Sequence, residues 1–317
     1  MAFRIIDRLR ADRTIERSEV VAGLRASPAS VAPKYFYDAL GCALYGAICR
    51  LPEYYPTRTE VALFDQRRLE IAKAVGTGRQ LVDLGAGDCC KARGWLPFLE
   101  PSRYIAVDIA AAEIAGALQR LAPDFPAIEM AGVVADFNQG LDLGDVLTDA
   151  PVTFFYPGSS IGNFSPPEAV RLLASIRSHC VARPGSSLLI GVDGKKDMAT
   201  LVAAYDDALG VTAAFNRNVL RHLNARFGFD FALEGFSHFA RYDEARGRIE
   251  MHLESRRDQS VMLDGVARRF AAGERIHTEN SYKYAPAEFE ALLAEAGFRD
   301  LRRWDAPDFP YHVFCAA

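Results

Sequence analysis

Three groups of residues that could bind a nucleoside follow one another along the first half of the chain. The apolar run LVDLGAGD ends with Gly85 and Gly87, and glycines in a tight turn allow the backbone to approach a ligand at the carboxyl end of a strand. Asp108 ends the next apolar run, YIAVDIA, where a carboxylate can accept both hydroxyls of a ribose. Asp136 and Phe137 follow in VVADFN, where the acid could accept an exocyclic amine and the ring could stack on a purine.

The order of these groups separates two classes of nucleotide ligand. A dinucleotide fingerprint, G-x-G-x-x-G, needs a third glycine where this chain has Cys90, so a grip on a pyrophosphate is disfavoured. Each group alone has an ordinary explanation, since G-x-G is often only a turn and a strand-end Asp is often a helix cap. A Gly-x-Gly turn, a strand-end acid and an Asp–aromatic pair in this order are typical of an S-adenosylmethionine site. The sequence therefore predicts a methyltransferase.

The composition excludes several other classes of protein. The chain has 317 residues, of which 50% are apolar, so it can bury one large core or two moderate ones. A net charge of -4 with scattered basic residues argues against a nucleic-acid partner. No apolar run is long enough to cross a bilayer or to serve as a secretory signal, and the cysteine spacing indicates neither a disulfide framework nor a metal site. We expect a cytoplasmic protein without nucleic-acid or membrane partners, and we expect it to be a monomer.

Alternating strands and helices must position the nucleoside-binding groups. The apolar bursts RQLVDLGAGD, RYIAVDIA, AGVVADFN, PVTFFYPGSS and SSLLIGVDG are mostly separated by helical patterns, which predicts an α/β, Rossmann-like sheet with parallel strands. Residues 60–193 plus 284–317, which end in one more helix and a closing strand, are predicted to form this methyltransferase domain. Residues 1–59 plus 194–283 are predicted to form a second, smaller α+β domain that binds the substrate. In the latter, RIEMHLES and QSVMLDGVARRF predict a hairpin.

The segment IHTENSYKYA, residues 276–285, is unusually rich in hydrogen-bonding side chains. It contains a carboxylate, an amide, two aliphatic hydroxyls and an imidazole beside aromatic residues. A solvated loop that leads into a strand would explain this composition in an arbitrary protein. A binding site is the alternative.

Five long segments resemble the histidine-specific Nα-methyltransferases, which make hercynine in the first step of ergothioneine synthesis. These segments are PKYFYDALGCALYGAICRLPEYYPTRTE, GSSIGNFSP, AYDDALGVTAAFNRNVLRHLN, RIEMHLE and TENSYKY. The resemblance extends from Ala32 to the closing strand and so covers nearly the whole chain. It departs in the turn GAGDCCKAR, where Cys89 and Cys90 replace the small polar or charged residues common in the family, while the lysine is kept as Lys91.

The resemblance implies roles for residues at the matched motifs. The pocket for the methyl donor is implied to contain Gly85, Lys91, Asp108, Asp136 and Phe137, with Tyr37 near the reacting centre. The amino and carboxylate ends of the substrate are implied to contact Gly158, Asn163 and Tyr205. The imidazole end is implied to contact Tyr54, Met251, Glu279 and Ser281. If Glu279 and Ser281 alternate along a strand, they point to the same side and could each take one ring nitrogen.

The implied chemistry is the presentation of a neutral amine in line with the S–CH₃ bond. Tyr37 and Asn163 are the candidate catalytic residues, with Tyr37 or a water chain beside it as the route for the proton. Tyr45 could stabilise a quaternary ammonium through its ring face. Two other hypotheses remain open: an N-methyltransferase of another aromatic amino acid or amine, and a module that binds S-adenosylmethionine without catalysis.

Overall fold

The computed structural model describes residues 3–9, 13–137 and 140–317, which form two compact units. The first unit is drawn from Met1–Leu9, Pro56–Lys196 and Tyr282–Ala317. The second unit is drawn from Arg10–Tyr55 and Asp197–Ser281.

The secondary structure of the described residues mixes strands and helices along the whole chain. The strands are β1 (Phe3–Asp7), β2 (Ala29–Ser30), β3 (Gln80–Leu84), β4 (Arg103–Asp108), β5 (Glu129–Val134), β6 (Val152–Tyr156), β7 (Ser187–Asp193), β8 (Phe236–Asp243), β9 (Arg248–Ser255), β10 (Gln259–Leu263), β11 (Val266–Phe270), β12 (Arg275–Tyr282), β13 (Leu301–Asp305) and β14 (Tyr311–Ala316). The α-helices are α1 (Arg13–Arg25), α2 (Ala39–Ile48), α3 (Tyr55–Val75), α4 (Cys90–Arg93), α5 (Leu96–Leu99), α6 (Ala111–Leu121), α7 (Pro166–Val181), α8 (Met198–Ala203), α9 (Val211–Phe227) and α10 (Pro286–Glu295). None of these helices is long and apolar enough to span a membrane.

The first unit is built on a sheet whose strand order is β1-β5-β4-β3-β6-β7-β14-β13. The pairs from β1 to β7 are parallel, whereas β14 runs antiparallel to both β7 and β13. This confirms the predicted α/β fold, and it shows that the closing strand reverses direction. The order of the strands reverses between β3 and β6, and open α/β sheets bind ligands outside the carboxyl ends of the strands at such a switch point.

Both faces of this sheet are covered by helices. Phe154 and Phe155 are neighbours in β6, yet they pack into different apolar clusters, one with residues of α7 and α10 and the other with residues of α3 and α6. Every residue of β3, β6, β7 and β14 is buried. A parallel strand buried on both faces reads as a continuous apolar run, which is why these strands were predictable from the sequence.

The first strand corrects one predicted domain boundary. Phe3–Asp7 pairs in parallel with Met130–Val134 and so extends the large sheet. Residues 1–59 were expected to lie together in the second domain, and this placement is wrong for β1. The segment FRIID is short and half-exposed, and nothing in its sequence indicates which strand it pairs with. Only the observed pairing assigns it to the large sheet. The division of roles between the two domains stays a prediction.

The second unit contains a sheet of strand order β2-β12-β9-β8 and a separate hairpin of β10 and β11. The predicted hairpin is therefore corrected, because RIEMHLES pairs with β8 and QSVMLDGVARRF folds on itself. The turn of that hairpin is Asp264–Gly265, and both residues have positive φ, at 53° and 74°. An Asp-Gly pair with two positive φ angles forms a tight turn that matches the twist of the flanking strands.

Candidate active site

The turn that follows β3 lies at the switch point of the large sheet. Gly85 and Gly87 have φ of +69° and +50°, and a Cβ added at either position would meet no heavy atom within 4 Å. The backbone conformation therefore favours glycine, while the surface of the turn is open to a ligand. Asp108, at the end of β4, accepts the N–H of Gly87 at Oδ2 (2.9 Å) and the N–H of Ala110 at Oδ1 (3.0 Å). A carboxylate has about four lone-pair sites, so this capping leaves acceptor capacity for a ribose.

An aromatic face stands beside this turn at the ends of β5 and β6. The half-buried Phe137 ring lies 6.3 Å from the ring of Phe164 at 25° and 5.9 Å from that of Tyr156 at 83°. Burial, together with the charge of Asp108, raises the pKa of Tyr156 above its ordinary value. The Tyr156 hydroxyl is buried and has no hydrogen-bond partner among the described residues. These features together fit an S-adenosyl group: an open glycine backbone, an acceptor carboxylate, a half-buried ring and a buried hydroxyl that lacks a partner among the described residues.

Lys91 and Gly158, to which the resemblance gives different ligands, meet at one buried carboxylate. Glu60 accepts from Lys91 Nζ at 2.6 Å and from the N–H of Gly158 at 2.7 Å, and it is 0% exposed. Sequence reasoning gave Glu60 no role. A signal did exist, because Glu60 shares the buried face of α3 with Phe64, Ile71 and Val75 at helical spacing. An acidic residue on an apolar helix face needs a partner when it is buried, so its position predicts a buried hydrogen-bond network.

Asn163 ends a short 3-10 helix, Ser160–Asn163, that follows β6 and the Gly158 turn. An alternative explanation of Asn163 is that it only shapes the start of α7. In the structure the cap of α7 is formed by Ser165, whose N–H donates to Glu168 at 2.8 Å. Asn163 is half-buried, follows the end of β6 and is not itself the capping residue. Its contact with the substrate stays a prediction.

In the second unit, four tyrosines and a serine form a continuous cluster. The Tyr205 hydroxyl lies 2.7 Å from Ser281 Oγ, and the Tyr205 ring contacts the ring of Tyr54 at 6.1 Å. The hydroxyls of Tyr54 and Tyr45 are hydrogen-bonded, and burial raises the pKa of both phenols well above the ordinary value. The Tyr37 ring lies 6.0 Å from that of Tyr45. The structure thus brings together Tyr37, Tyr54, Tyr205 and Ser281.

The acidic residue of the segment TENS lies on the same strand as Ser281 of this cluster. Glu279 is 7% exposed in β12, and Met251 is buried in the neighbouring strand β9. Thr278 Oγ1 lies 3.0 Å from the carbonyl oxygen of Met251 and joins the two strands. Asn280 is half-buried and lies 2.9 Å from His277 Nε2 through its Oδ1. The segment is therefore a mostly buried strand and not a solvated loop.

The backbone of Tyr205 is held by two residues that the sequence did not single out. His238 Nε2 lies 2.8 Å from the Tyr205 carbonyl oxygen, and Asn216 Nδ2 lies 2.8 Å from His238 Nδ1. Burial lowers the pKa of His238, which keeps the ring neutral, with Nδ1 accepting from Asn216 and Nε2–H donating to Tyr205. Asn216 also donates to the carbonyl of His252 at 2.9 Å, so α9, β8 and β9 together position Tyr205.

The relation of this chain to known proteins agrees with the geometry. A family profile described as "Histidine-specific methyltransferase, SAM-dependent" matches residues 16–317. The chain belongs to this family. It is 40% identical over 315 residues to the "Histidine N-alpha-methyltransferase" of Mycolicibacterium smegmatis, with 97% of each chain covered. It is 38% identical over 301 residues to the protein of that name from Mycobacterium tuberculosis, with 92% of each covered.

A longer relative carries a pathway name. The chain is 28% identical over 287 residues to "Ergothioneine biosynthesis protein 1" of Neurospora crassa, an alignment that covers 87% of this chain and 32% of that protein. The family membership confirms the resemblance seen in the sequence, the enzyme class and S-adenosylmethionine as the methyl donor.

Within the described residues, no group of His, Cys, Asp and Glu side chains is arranged to hold a metal ion.

Proposed function

We propose that this protein transfers methyl groups from S-adenosylmethionine to the α-amino nitrogen of L-histidine, three times in succession, and so makes hercynine for ergothioneine biosynthesis. The family and the names of its relatives support this acceptor. The observation within the chain that carries the proposal is the buried pair Glu279 and Ser281 on β12, with Ser281 bonded to Tyr205.

An imidazole suits this pair because a neutral ring has one N–H donor and one acceptor nitrogen. Glu279 supplies an acceptor for the N–H. Ser281 has a single hydroxyl proton, and it can direct that proton to the second ring nitrogen when the Tyr205 hydroxyl donates to Ser281 Oγ. A phenyl or aliphatic side chain offers neither an N–H to Glu279 nor an acceptor nitrogen to Ser281, so it would gain neither of these hydrogen bonds. Tyr54 and Met251 are proposed as the apolar walls beside the ring.

The residues around the turn after β3 are proposed to hold the methyl donor, whose sulfonium makes its methyl group electrophilic. Gly85 and Gly87 let the backbone approach the ligand, and Asp108 accepts from the ribose hydroxyls. Phe137 offers a ring face to the purine, and Asp136 an acceptor for its amine. The chain acts chiefly by positioning, which can lower the barrier by ~7–11 kcal/mol.

The α-amine must lose a proton before it can attack the methyl group. Gly158 and Asn163 are proposed to orient the amino acid backbone, and Tyr37 or a water beside it is proposed to take the proton onward. Tyr45 and Tyr54 are poor candidates for the base, because their burial raises the pKa of each phenol and keeps it protonated. Their ring faces can instead stabilise the quaternary ammonium product by ~0.5–2 kcal/mol.

A mass-spectrometric assay tests the proposal and separates the alternatives. The purified protein is incubated with S-adenosylmethionine and a panel containing histidine, tryptophan, phenylalanine, tyrosine and histamine. We expect histidine to gain one, two and then three methyl groups, with little reaction of the others. Preferred methylation of another amino acid or amine would overturn the assignment of histidine as the acceptor, and donor binding without any transfer would indicate a binding module.

The proposal also includes a monomeric state and a cytoplasmic location. Analytical ultracentrifugation tests the monomeric state, and fractionation of the source cells tests the location.

A further inference from the structure

The Glu60 carboxylate forms the centre of a buried network in the first unit. It accepts from Lys91 Nζ at 2.6 Å, from the N–H of Gly158 at 2.7 Å and from the Tyr311 hydroxyl at 2.5 Å. A carboxylate without partners is costly to bury, and these three donors satisfy it with one charge and two further hydrogen bonds. The partners come from α4, from the turn after β6 and from the first residue of β14.

Two glycine backbones lie against the side chains of the Glu60 network. A Cβ at Gly191 of β7 would collide with Glu60 Oε1 and would lie 2.6 Å from the Tyr311 hydroxyl. A Cβ at Gly158 would lie 2.8 Å from Lys91 Nζ, and Gly158 also has a φ of +81°. The network therefore depends on close approach of two glycine backbones as well as on the charged side chains.

We infer that Glu60 is a positioning residue for the reaction, an inference that rests on the proposed function. Lys91 belongs to the segment after β3 that is proposed to bind the donor, and Gly158 to the segment after β6 that is proposed to bind the amino acid. Because one carboxylate binds both, it fixes the ammonium of Lys91 against the Gly158 turn and sets the spacing of the two segments. Glu60 is fully buried, so it acts through these neighbours and not by touching either substrate.

The substitution Glu60→Gln tests this role, because it keeps the size of the side chain and removes its charge. We expect S-adenosylhomocysteine to bind about tenfold more weakly in calorimetry and the KM for histidine to rise by a similar factor, since a hydrogen bond to a charged group is lost. Glu70→Gln on the same helix is the matched control, because Glu70 is exposed and pairs with Arg67 at the surface. It should leave both constants unchanged.

A double variant distinguishes positioning from a general loss of stability. If Glu60 acts through Lys91, the losses of S-adenosylhomocysteine affinity in Glu60→Gln and Lys91→Gln should not add in the double variant. A purely structural Glu60 would lower the unfolding temperature and leave both constants of the folded protein within twofold of the wild type, which would overturn the inference. If Glu60→Gln does not fold, Tyr311→Phe tests the inference instead, because it removes one hydrogen-bond donor to the Glu60 carboxylate. Both constants should then shift in the same direction by a smaller factor. Unshifted constants in Tyr311→Phe would then overturn the inference.

Binding of S-adenosylhomocysteine needs no acceptor, so the two proposals fail separately. If the wild type did not methylate histidine while Glu60→Gln still weakened S-adenosylhomocysteine binding, the proposed function would fall and the positioning of Lys91 would stand. If the wild type methylated histidine and neither constant moved in the folded variant, only the role of Glu60 would fall.

Discussion

The Tyr205 hydroxyl and Ser281 Oγ lie 2.7 Å apart, and both side chains are buried. The two residues are separated by 76 positions in the chain, yet each of them limits what the other can do. Either hydroxyl can donate in this bond, and when Tyr205 is the donor the single proton of Ser281 can point to a ligand. Tyr205 was expected at the backbone end of the substrate, and this bond indicates that it also orients the hydroxyl proposed to contact the imidazole.

This bond predicts that Tyr205 and Ser281 act as a unit. Tyr205→Phe keeps the ring that packs on Tyr54 and removes only the hydroxyl, while Ser281→Ala removes the other half of the pair. Each change should raise the KM for histidine about tenfold, because a buried polar group loses its partner. The double variant should be little worse than the more impaired single variant. Steady-state kinetics on the four proteins gives the coupling energy, and simple additivity would contradict the prediction.

Tyr35→Phe is a suitable control for these variants. Tyr35 is a buried phenol of the same unit whose hydroxyl donates to Glu16 at 3.2 Å. Loss of its hydroxyl should affect stability alone and leave the KM for histidine unchanged.

Glu279→Ala should change the choice of acceptor. The KM for histidine should rise at least tenfold while S-adenosylhomocysteine affinity stays nearly intact, because the imidazole N–H loses a charged acceptor. The preference for histidine over tryptophan should narrow. Asn163→Ala should instead impair every amino acid alike, since Asn163 is proposed to hold the backbone common to all of them. Unchanged preference in Glu279→Ala would mean that TENS is not the imidazole site.

The sequence predicted those parts of the molecule that depend on local pattern. Strands β3 to β7 could be found because each is buried on both faces, and Gly85, Asp108 and Phe137 followed because they sit where those strands end. The Glu60 network could not be predicted in this way. Tyr311 lies 251 positions from Glu60, and only the antiparallel pairing of β14 with β7 brings it there.

Asp108→Ala should weaken the binding of S-adenosylmethionine about ten- to a hundredfold, because the ribose hydroxyls would lose a charged acceptor. The structure adds a second consequence, since the N–H groups of Gly87 and Ala110 would also lose their acceptor. The unfolding temperature should therefore fall as well. Asp108→Asn, which keeps one acceptor oxygen, should lie between the wild type and the Ala variant in both measurements. Calorimetry with S-adenosylmethionine and thermal unfolding measure these two effects in both variants. Unaltered S-adenosylmethionine affinity in a folded Asp108→Ala variant would show that Asp108 does not bind the donor.

The buried carboxyl of Asp83 should make the stability of the protein fall as the pH rises. Asp83 lies in β3 two residues before Gly85, is 2% exposed and accepts from the Tyr104 hydroxyl at 2.8 Å. Burial raises the pKa of Asp83 to about 7, although the bond from Tyr104 and the charge of Lys91 oppose this shift. The unfolded value is about 3.9, so between about pH 4 and pH 7 the folded state holds more protons than the unfolded state.

The free energy of unfolding therefore loses this contribution as the pH rises through that window, and the full contribution is present only below about pH 4. Asp83→Asn cannot ionise and should lack the effect. The free energy of unfolding of Asp83→Asn minus that of the wild type should increase from pH 5 to pH 8. Denaturant unfolding at each pH measures both values. Taking the difference between the two proteins cancels other titrating groups such as His252, whose pKa burial lowers to about 4 and whose effect on stability has the opposite sign. A difference that stayed constant with pH would show that Asp83 is already ionised in the folded protein at pH 5.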